Sequence, residues 1–287
     1  MFLIIRAGYS GSGFRNISSE HVLNVRIKTL SIQTTGKIST GRRLSSLPIL
    51  NPWGTDLVKV IALAAMITDH INTVLLSSPR LELYALGRTA FPLFALIWAM
   101  NVCRDPARLQ LRARRLWIWA VATQPVFTLT FQGLVPWYAL NILFVFAGVT
   151  QLLALRHSAG KYGALCGLVL LAIMVWPLTP ASYGIPGLAL SLSLALWFAL
   201  PAGTQRNASG FTAVISLAML NGVTHLTDAP LAALVFAVIP TMLLPAVAVN
   251  VVEKIQIGHT QRFMHRHFFY LAYAGHLIVL SLIRYFS

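Results

Sequence analysis

From Leu57 to its last residues the chain is a succession of apolar runs with short polar breaks, and this limits what it can fold into more than any other feature. A helix needs about 20 mostly apolar residues to cross the roughly 30 Å of hydrocarbon in a bilayer. Runs of this kind lie at 57–77, 84–103, 112–132, 138–155, 161–177, 185–201, 210–227, 230–252 and 267–286. Turn-forming residues separate most of them: Ser77-Ser78-Pro79, Arg104-Asp105-Pro106, Gly133 to Pro136, Thr179-Pro180, Pro201 to Gly203 and Asp228-Ala229-Pro230. The pattern predicts an all-α integral membrane protein, a bundle of about nine transmembrane helices. Composition points the same way, since 57% of residues are apolar and only 10% charged, against about 25% charged in an ordinary soluble domain.

The net charge of +15 raises the question of nucleic acid, and its distribution answers it. Nucleic-acid recognition wants a basic face on a soluble module. Here the Lys and Arg residues sit between apolar runs and sort by side. With the N-terminus inside, nineteen of the twenty-two fall in cytoplasmic segments, and only Arg80, Arg88 and Arg284 fall outside. That is the positive-inside pattern, so no nucleic-acid partner is expected. A cell inner (plasma) membrane is the expected location.

Residues 1–54 read as a basic cytoplasmic tail and 55–287 as the membrane domain. The tail is rich in Ser, Gly, Thr and basic residues without a sustained period, which predicts a flexible segment or an over-extended start. Met1 to Ile5 is too short for a signal-peptide core. Gly8, Gly11 and Gly13 imitate a dinucleotide fingerprint but lack the strand and helix that would give it meaning. Cys103 and Cys166 lie toward cytoplasmic helix ends in no metal spacing. They are read as packing residues, with neither a disulfide nor a metal site.

In so apolar a chain, an ionisable group inside a span is the informative event, because its burial is expensive and marks function. Asp69 and His70 lie inside the first run. Counted from Leu57 at about 1.5 Å per residue, His70 is roughly 20 Å deep, just past the midplane. Neighbouring helical residues point about 100° apart, so Asp69 cannot orient the His70 ring. Arg88, at the outer end of the second run, is the expected partner of Asp69. His276 lies mid-way along the last run with Tyr273 one turn before it. Asn101 and Asn141 read as helix–helix glue, and His225 and Asp228 as interfacial residues. Arg104, Arg108, Arg112, Arg114 and Arg115 crowd one cytoplasmic loop. They are either topology and lipid anchors or a phosphate-binding lip, with Arg108, Arg112 and Arg115 sharing a helical face.

Several phrases resemble the TraX family of conjugal-transfer proteins. They are Met66-Ile67-Thr68-Asp69-His70-Ile71, Gly87-Arg88-Thr89-Ala90-Phe91-Pro92-Leu93-Phe94, and Leu140-Asn141-Ile142-Leu143-Phe144 with Gly148. Tyr183-Gly184-Ile185-Pro186-Gly187 and Phe269-Tyr270-Leu271-Ala272-Tyr273 with His276-Leu277 continue the likeness, which runs from about residue 55 to the end. The family is associated with N-terminal acetylation of a pilus subunit. More distantly it is similar to the acyltransferase-3 group and heparan-alpha-glucosaminide N-acetyltransferase. The resemblance implies an acetyltransferase using cytoplasmic acetyl-CoA, with a pilin-like protein or another amine as acceptor. In that scheme His70 is the base, Arg88 with Asp69 supports the site, His276 is a second candidate, and Arg108, Arg112 and Arg115 grip the cofactor. Two rivals stand beside it: a transporter or channel with an Asp69–His70–Arg88 relay, and a non-catalytic membrane component of a conjugation apparatus.

Overall fold

A helix begins where the chain first meets a cap and a proline together. Asn51 accepts a hydrogen bond from Gly54 N at 2.7 Å and Pro52 takes the first helical position, where its missing N–H costs nothing. Helix α1 (Pro52–Val74) therefore starts five residues before the apolar run that marks it in the sequence. In this computed structural model, residues 50–222, 229–265 and 267–286 are described. Most of the expected tail lies outside them, as do its three glycines, His225 and Asp228.

Helix α2 (Leu81–Gly87) and α3 (Ala90–Val102) follow, split at Arg88-Thr89. Pro92 has no N–H for the carbonyl of Arg88, four residues back, which weakens the helical ladder at this point. A short 3₁₀ turn, Pro106–Arg108, leads into α4 (Leu109–Thr130). Helix α5 (Ile142–Leu178) is broken at Ala159 and Gly160, where φ of Gly160 is +56°. That left-handed value suits glycine, and the chain doubles back. Gly167 lies against Leu152, Gly148 against Leu171 and Met174, and Leu140 N donates to Pro177 O at 2.9 Å. Then come α6 (Gly184–Ala199), α7 (Thr204–Gly222), α8 (Pro230–Ala233), a π-helical turn at Leu234–Val238, α9 (Ile239–Ile255) and α10 (Phe268–Phe286).

Among the described residues there is no strand, and five segments are long and apolar enough to cross a membrane. They are Pro52–Val74, Leu81–Val102, Ile142–Leu178, Pro230–Ile255 and Phe268–Phe286, with Gly184–Ala199 shorter but apolar. Over the described residues the chain is all-helical, and it is a multi-pass membrane protein. Helices α4 and α7 are as long as the others, but Arg112, Arg114 and Arg115 in one and Gln205, Arg206 and Asn207 in the other lower their hydropathy.

The interior is drawn from all the long helices, with Leu93, Val145, Val149, Leu178, Leu190, Tyr273 and Leu277 fully covered. Several of its polar members are tied down, as most buried groups are. Asn141 caps α5 through Leu143 N at 3.0 Å and donates to Ala120 O and Gln124 Oε1, both at 2.9 Å. It is helix–helix glue. On the last helix Tyr273, Leu277 and Leu280 form the buried stripe. Arg284 Nη1 reaches across to the Thr130 carbonyl at 2.9 Å, placing a cation at the C-terminal end of α4. Cys103 and Cys166 are free thiols.

Candidate functional site

Successive residues of α1 look to different neighbours, and the site follows from that. Met66 and His70 are one turn apart and both are buried. Asp69, a step aside, meets Arg88, whose Nη2 donates to Asp69 Oδ1 at 2.6 Å. The guanidinium also stacks over the Tyr84 ring, its carbon 4.1 Å from the centroid. Gly87 comes so close to Asp69 that a methyl group there would overlap the carboxylate. The break at Arg88-Thr89 and the bare backbone of Gly87 together let the pair form.

His70 faces the last helix instead. Its Nδ1 lies 2.8 Å from His276 Nε2, with the two rings stacked at 5.1 Å between centroids. His276 Nδ1 is 3.1 Å from the carbonyl of Ala272, one turn back on its own helix. A carbonyl only accepts, so Nδ1 of His276 carries the hydrogen and its Nε2 is the acceptor. His70 Nδ1 then donates, and the lone pair of His70 is left on Nε2. Among the described residues Nε2 of His70 has no hydrogen-bond partner. Phe131 packs edge-on to His70 at 5.0 Å, and Tyr273 lies 5.6 Å from His276.

His70, Asp69 and Arg88 line one cavity of about 270 Å³, together with Thr73, Tyr84, Phe91, Phe127, Phe131 and Tyr183. Part of its wall is the end of α5, a Schellman turn in which Tyr183 N bonds Leu178 O at 3.1 Å and Ser182 N bonds Thr179 O at 2.9 Å. Ser182 holds φ of +66° there, a value glycine usually occupies. The turn presses Tyr183 onto Phe91, ring centroids 5.2 Å apart.

A second cavity, of about 350 Å³, lies at the basic end of the bundle. Its wall combines Lys59, Arg112, Arg115 and Arg262 with Phe94, Trp98, Phe146, Phe269 and Tyr270. Arg112 Nη1 donates to the carbonyl of Asn101. Fully buried Asp56 pairs with Lys59 at 2.7 Å and accepts from Met264 N at 3.2 Å. That one carboxylate ties the loop of Arg262 and Met264 to the start of α1. Trp53, stacked on His259 at 4.7 Å, and Asn51, bonded through its backbone N to Gln256 Oε1 at 2.9 Å, tie it further.

Of the residues the sequence singles out, His70, Asp69, Arg88 and His276 come together, and Arg112 and Arg115 face one cavity. Arg108 does not join them. It sits in the 3₁₀ turn, largely exposed, and pairs with Asp105 at 3.1 Å. The turn at Asp105 to Arg108 ends before α4 begins, so the helical face that would align Arg108 with the other two does not extend back to it. Lys59, Arg262, Asp56, Tyr84 and Tyr183 are the members that sequence reasoning passed over. Arg262 lies about 150 residues from Arg112 in the chain, and no local period links them. Lys59 was legible only as one of the inward-side charges.

The family profile described as TraX protein matches residues 54–284, which takes in every lining residue of both cavities. The chain belongs to the TraX family. It is 35% identical over 243 residues to Protein TraX of Escherichia coli strain K12, an alignment covering 84% of this chain and 91% of that relative. A second Protein TraX of Escherichia coli is 33% identical over 253 residues, with 84% and 91% covered. No solved structure matches this TraX-family chain.

Proposed function

We propose that this TraX-family chain is a membrane-embedded N-acetyltransferase, moving the acetyl group of cytoplasmic acetyl-CoA to an amine. The acceptor that the family resemblance favours is the α-amino group of a pilin-like protein. The observation that carries this reading is the pairing of two cavities: a basic, aromatic one at one end, and one containing a histidine with an open Nε2 at the other. Counted on this reading, α2 with α3, the two legs of α5, and α8 with α9 act as spans beside α1, α4, α6, α7 and α10. That makes nine, with the N-terminus in the cytoplasm and the basic end inward across the inner membrane.

The four cations of the basic cavity suit a phosphate-rich head group, since arginine forks match phosphate oxygens, and the aromatic floor suits the less polar arm that carries the thioester. Phe94 lines this cavity and Phe91 the other, about 4.5 Å apart along one helix. Tyr273 is fully buried beside His276, ring centroids 5.6 Å apart. On this reading a thioester reaches His70 from the basic cavity by displacing the side chains that separate the two.

The chemistry balances with the groups present. A neutral amine attacks the thioester carbonyl, forming the C–N bond. His70 Nε2 takes the proton lost by the nitrogen. The C–S bond breaks, and the proton passes to the leaving thiolate. A free α-amino group titrates near pH 7.7–8.0, so a base in the site matters at neutral pH, and such a base is worth about 10²–10⁴-fold. His276 holds the His70 ring with Nε2 outward, a positioning role. Asp69 and Arg88 form the polar wall facing the acceptor.

The test is turnover of acetyl-CoA against a peptide amine by the purified full chain, reading free thiol and acetylated peptide together. His70→Gln keeps size and hydrogen bonding but is no base near neutral pH. It should bind acetyl-CoA normally while transfer falls by about two orders of magnitude or more. Normal turnover in His70→Gln would end the base assignment. Proton movement into liposomes with no thiol release would replace the enzyme with an ion relay.

A further inference from the structure

A third cavity shares no lining residue with the other two and is of a different kind. It is the largest of the three, about 650 Å³, and runs between α3, α6, α7 and α9. Leu96, Leu190, Leu194, Leu217 and Val249 make its walls, and Trp197 stands at one end. Val214, half exposed, opens it sideways toward the region where lipid lies. The volume is in the range of cavities that take a small ligand, about 300–1,000 Å³, but besides the Trp197 indole the wall carries one polar side chain, Asn250, whose amide donates to the Ala246 carbonyl at 2.8 Å.

A cation stands behind the wall at the Trp197 end, stacked on that lining residue. The guanidinium carbon of Arg206 lies 4.1 Å above the Trp197 ring, and Gly210, one turn further along α7, brings the backbone against the same indole. Arg206 is only 8% exposed, and its Nη2 is buried with no hydrogen-bond partner. A buried guanidinium with an unused N–H is costly unless an anion completes it. Trp197 at the end of α6, Arg206 at the start of α7 and Met100 at the end of α3 all belong to the basic end of the bundle. An apolar trough reaching toward the midplane, with one arginine at the membrane surface, has the shape and charge of a lipid: a chain below and a phosphate above.

We propose that this groove holds an acyl chain of an anionic glycerophospholipid, with Arg206 meeting its phosphate. Trp197 fixes the guanidinium by stacking, and the lateral opening lets the lipid enter from the bilayer. The site is separate from the acetyl-transfer cavities and stands whether or not the chain is an enzyme.

The probes are phosphatidylglycerol, phosphatidylcholine and glycerol phosphate, titrated into the delipidated full chain in detergent. The readouts are thermal midpoint and lipid retained in native mass spectrometry. Phosphatidylglycerol should raise the midpoint at lower concentration than phosphatidylcholine, and glycerol phosphate should do nothing, because the chain as well as the phosphate is required. Arg206→Gln should weaken phosphatidylglycerol about fivefold, the share of one arginine near a membrane surface, and leave phosphatidylcholine unchanged. If Arg206→Gln does not fold, Ala246→Phe serves instead. Ala246 is an exposed groove residue, and a ring there should displace both lipids while the thermal midpoint of the lipid-free protein is unchanged. Equal affinity for the two lipids, stabilisation by glycerol phosphate alone, or a disulfide between two copies carrying Ala246→Cys would each overturn the proposal, the last by making a second chain the occupant.

Discussion

Removing the carboxylate of Asp69 while keeping its shape should show how strongly the membrane interior depends on one ion pair. The Asp69–Arg88 contact is 2.6 Å long, with side chains 19% and 14% exposed. Breaking a buried pair by deleting one partner costs about 3–5 kcal/mol, because the other charge is stranded. Water reaching about one-sixth of each side chain screens part of that, so ~2–4 kcal/mol is expected for Asp69→Asn. At about 2–4 °C per kcal/mol for a chain of this size, the thermal midpoint should fall by ~5–15 °C. Arg88 keeps its place over Tyr84, so it cannot simply turn to water. The double variant Asp69→Asn, Arg88→Gln removes both charges and should recover part of the loss, leaving a coupling of about 1–3 kcal/mol. The assay is the melting midpoint of the four proteins in one detergent at low and high salt. An Asp69→Asn protein melting with the parent, or a double variant worse than the sum of the singles, would refute the reasoning.

Replacing Arg112, Arg115 and Arg262 by Gln should weaken acetyl-CoA binding and reduce its salt dependence, while Arg108→Gln should leave both unchanged; equilibrium binding at two ionic strengths reads this. Gly87→Ala puts a methyl into the Asp69 carboxylate and should cost about 1–3 kcal/mol, seen in the midpoint, with loss of transfer activity. Ser182→Gly should do the opposite, raising stability by about 1 kcal/mol, because Ser182 holds φ of +66° in the region glycine occupies without penalty. Reporter fusions after Gly203 should read cytoplasmic and fusions after Ser287 external, since loop charge sets orientation; both on one side would remove a span from the count.

Much of the architecture is legible in one dimension because the bilayer is a simple solvent. It rewards an apolar run of fixed length whatever that run packs against, so helices fall at the runs, at Leu81–Val102 and Phe268–Phe286 for example. The intramembrane ionisable residues are equally visible, since an ionisable side chain within an apolar run is conspicuous before its partner is known, and His70, Asp69 and His276 stand out from sequence alone. Even the Asp69–Arg88 pair is foreseeable, because α1 leads through a short loop into α2 and brings few other cations within reach.

Partners across long chain separations are another matter. That His70 meets His276, 206 residues on, depends on which face α10 turns inward. The stripe of Tyr273, Leu277 and Leu280 decides that by packing, not by any local signal. The same holds for Arg262 joining Arg112, and for Asp56, which in sequence is an unremarked acid ahead of an apolar run and in the fold ties Lys59 and Met264 together. Arg108 shows the converse: periodicity placed it with Arg112 and Arg115, and a turn begun at Asp105-Pro106 ended that period one residue before α4. Hydropathy is a property of each segment and survives reading in one dimension; the faces that segments show each other exist only once the helices have packed.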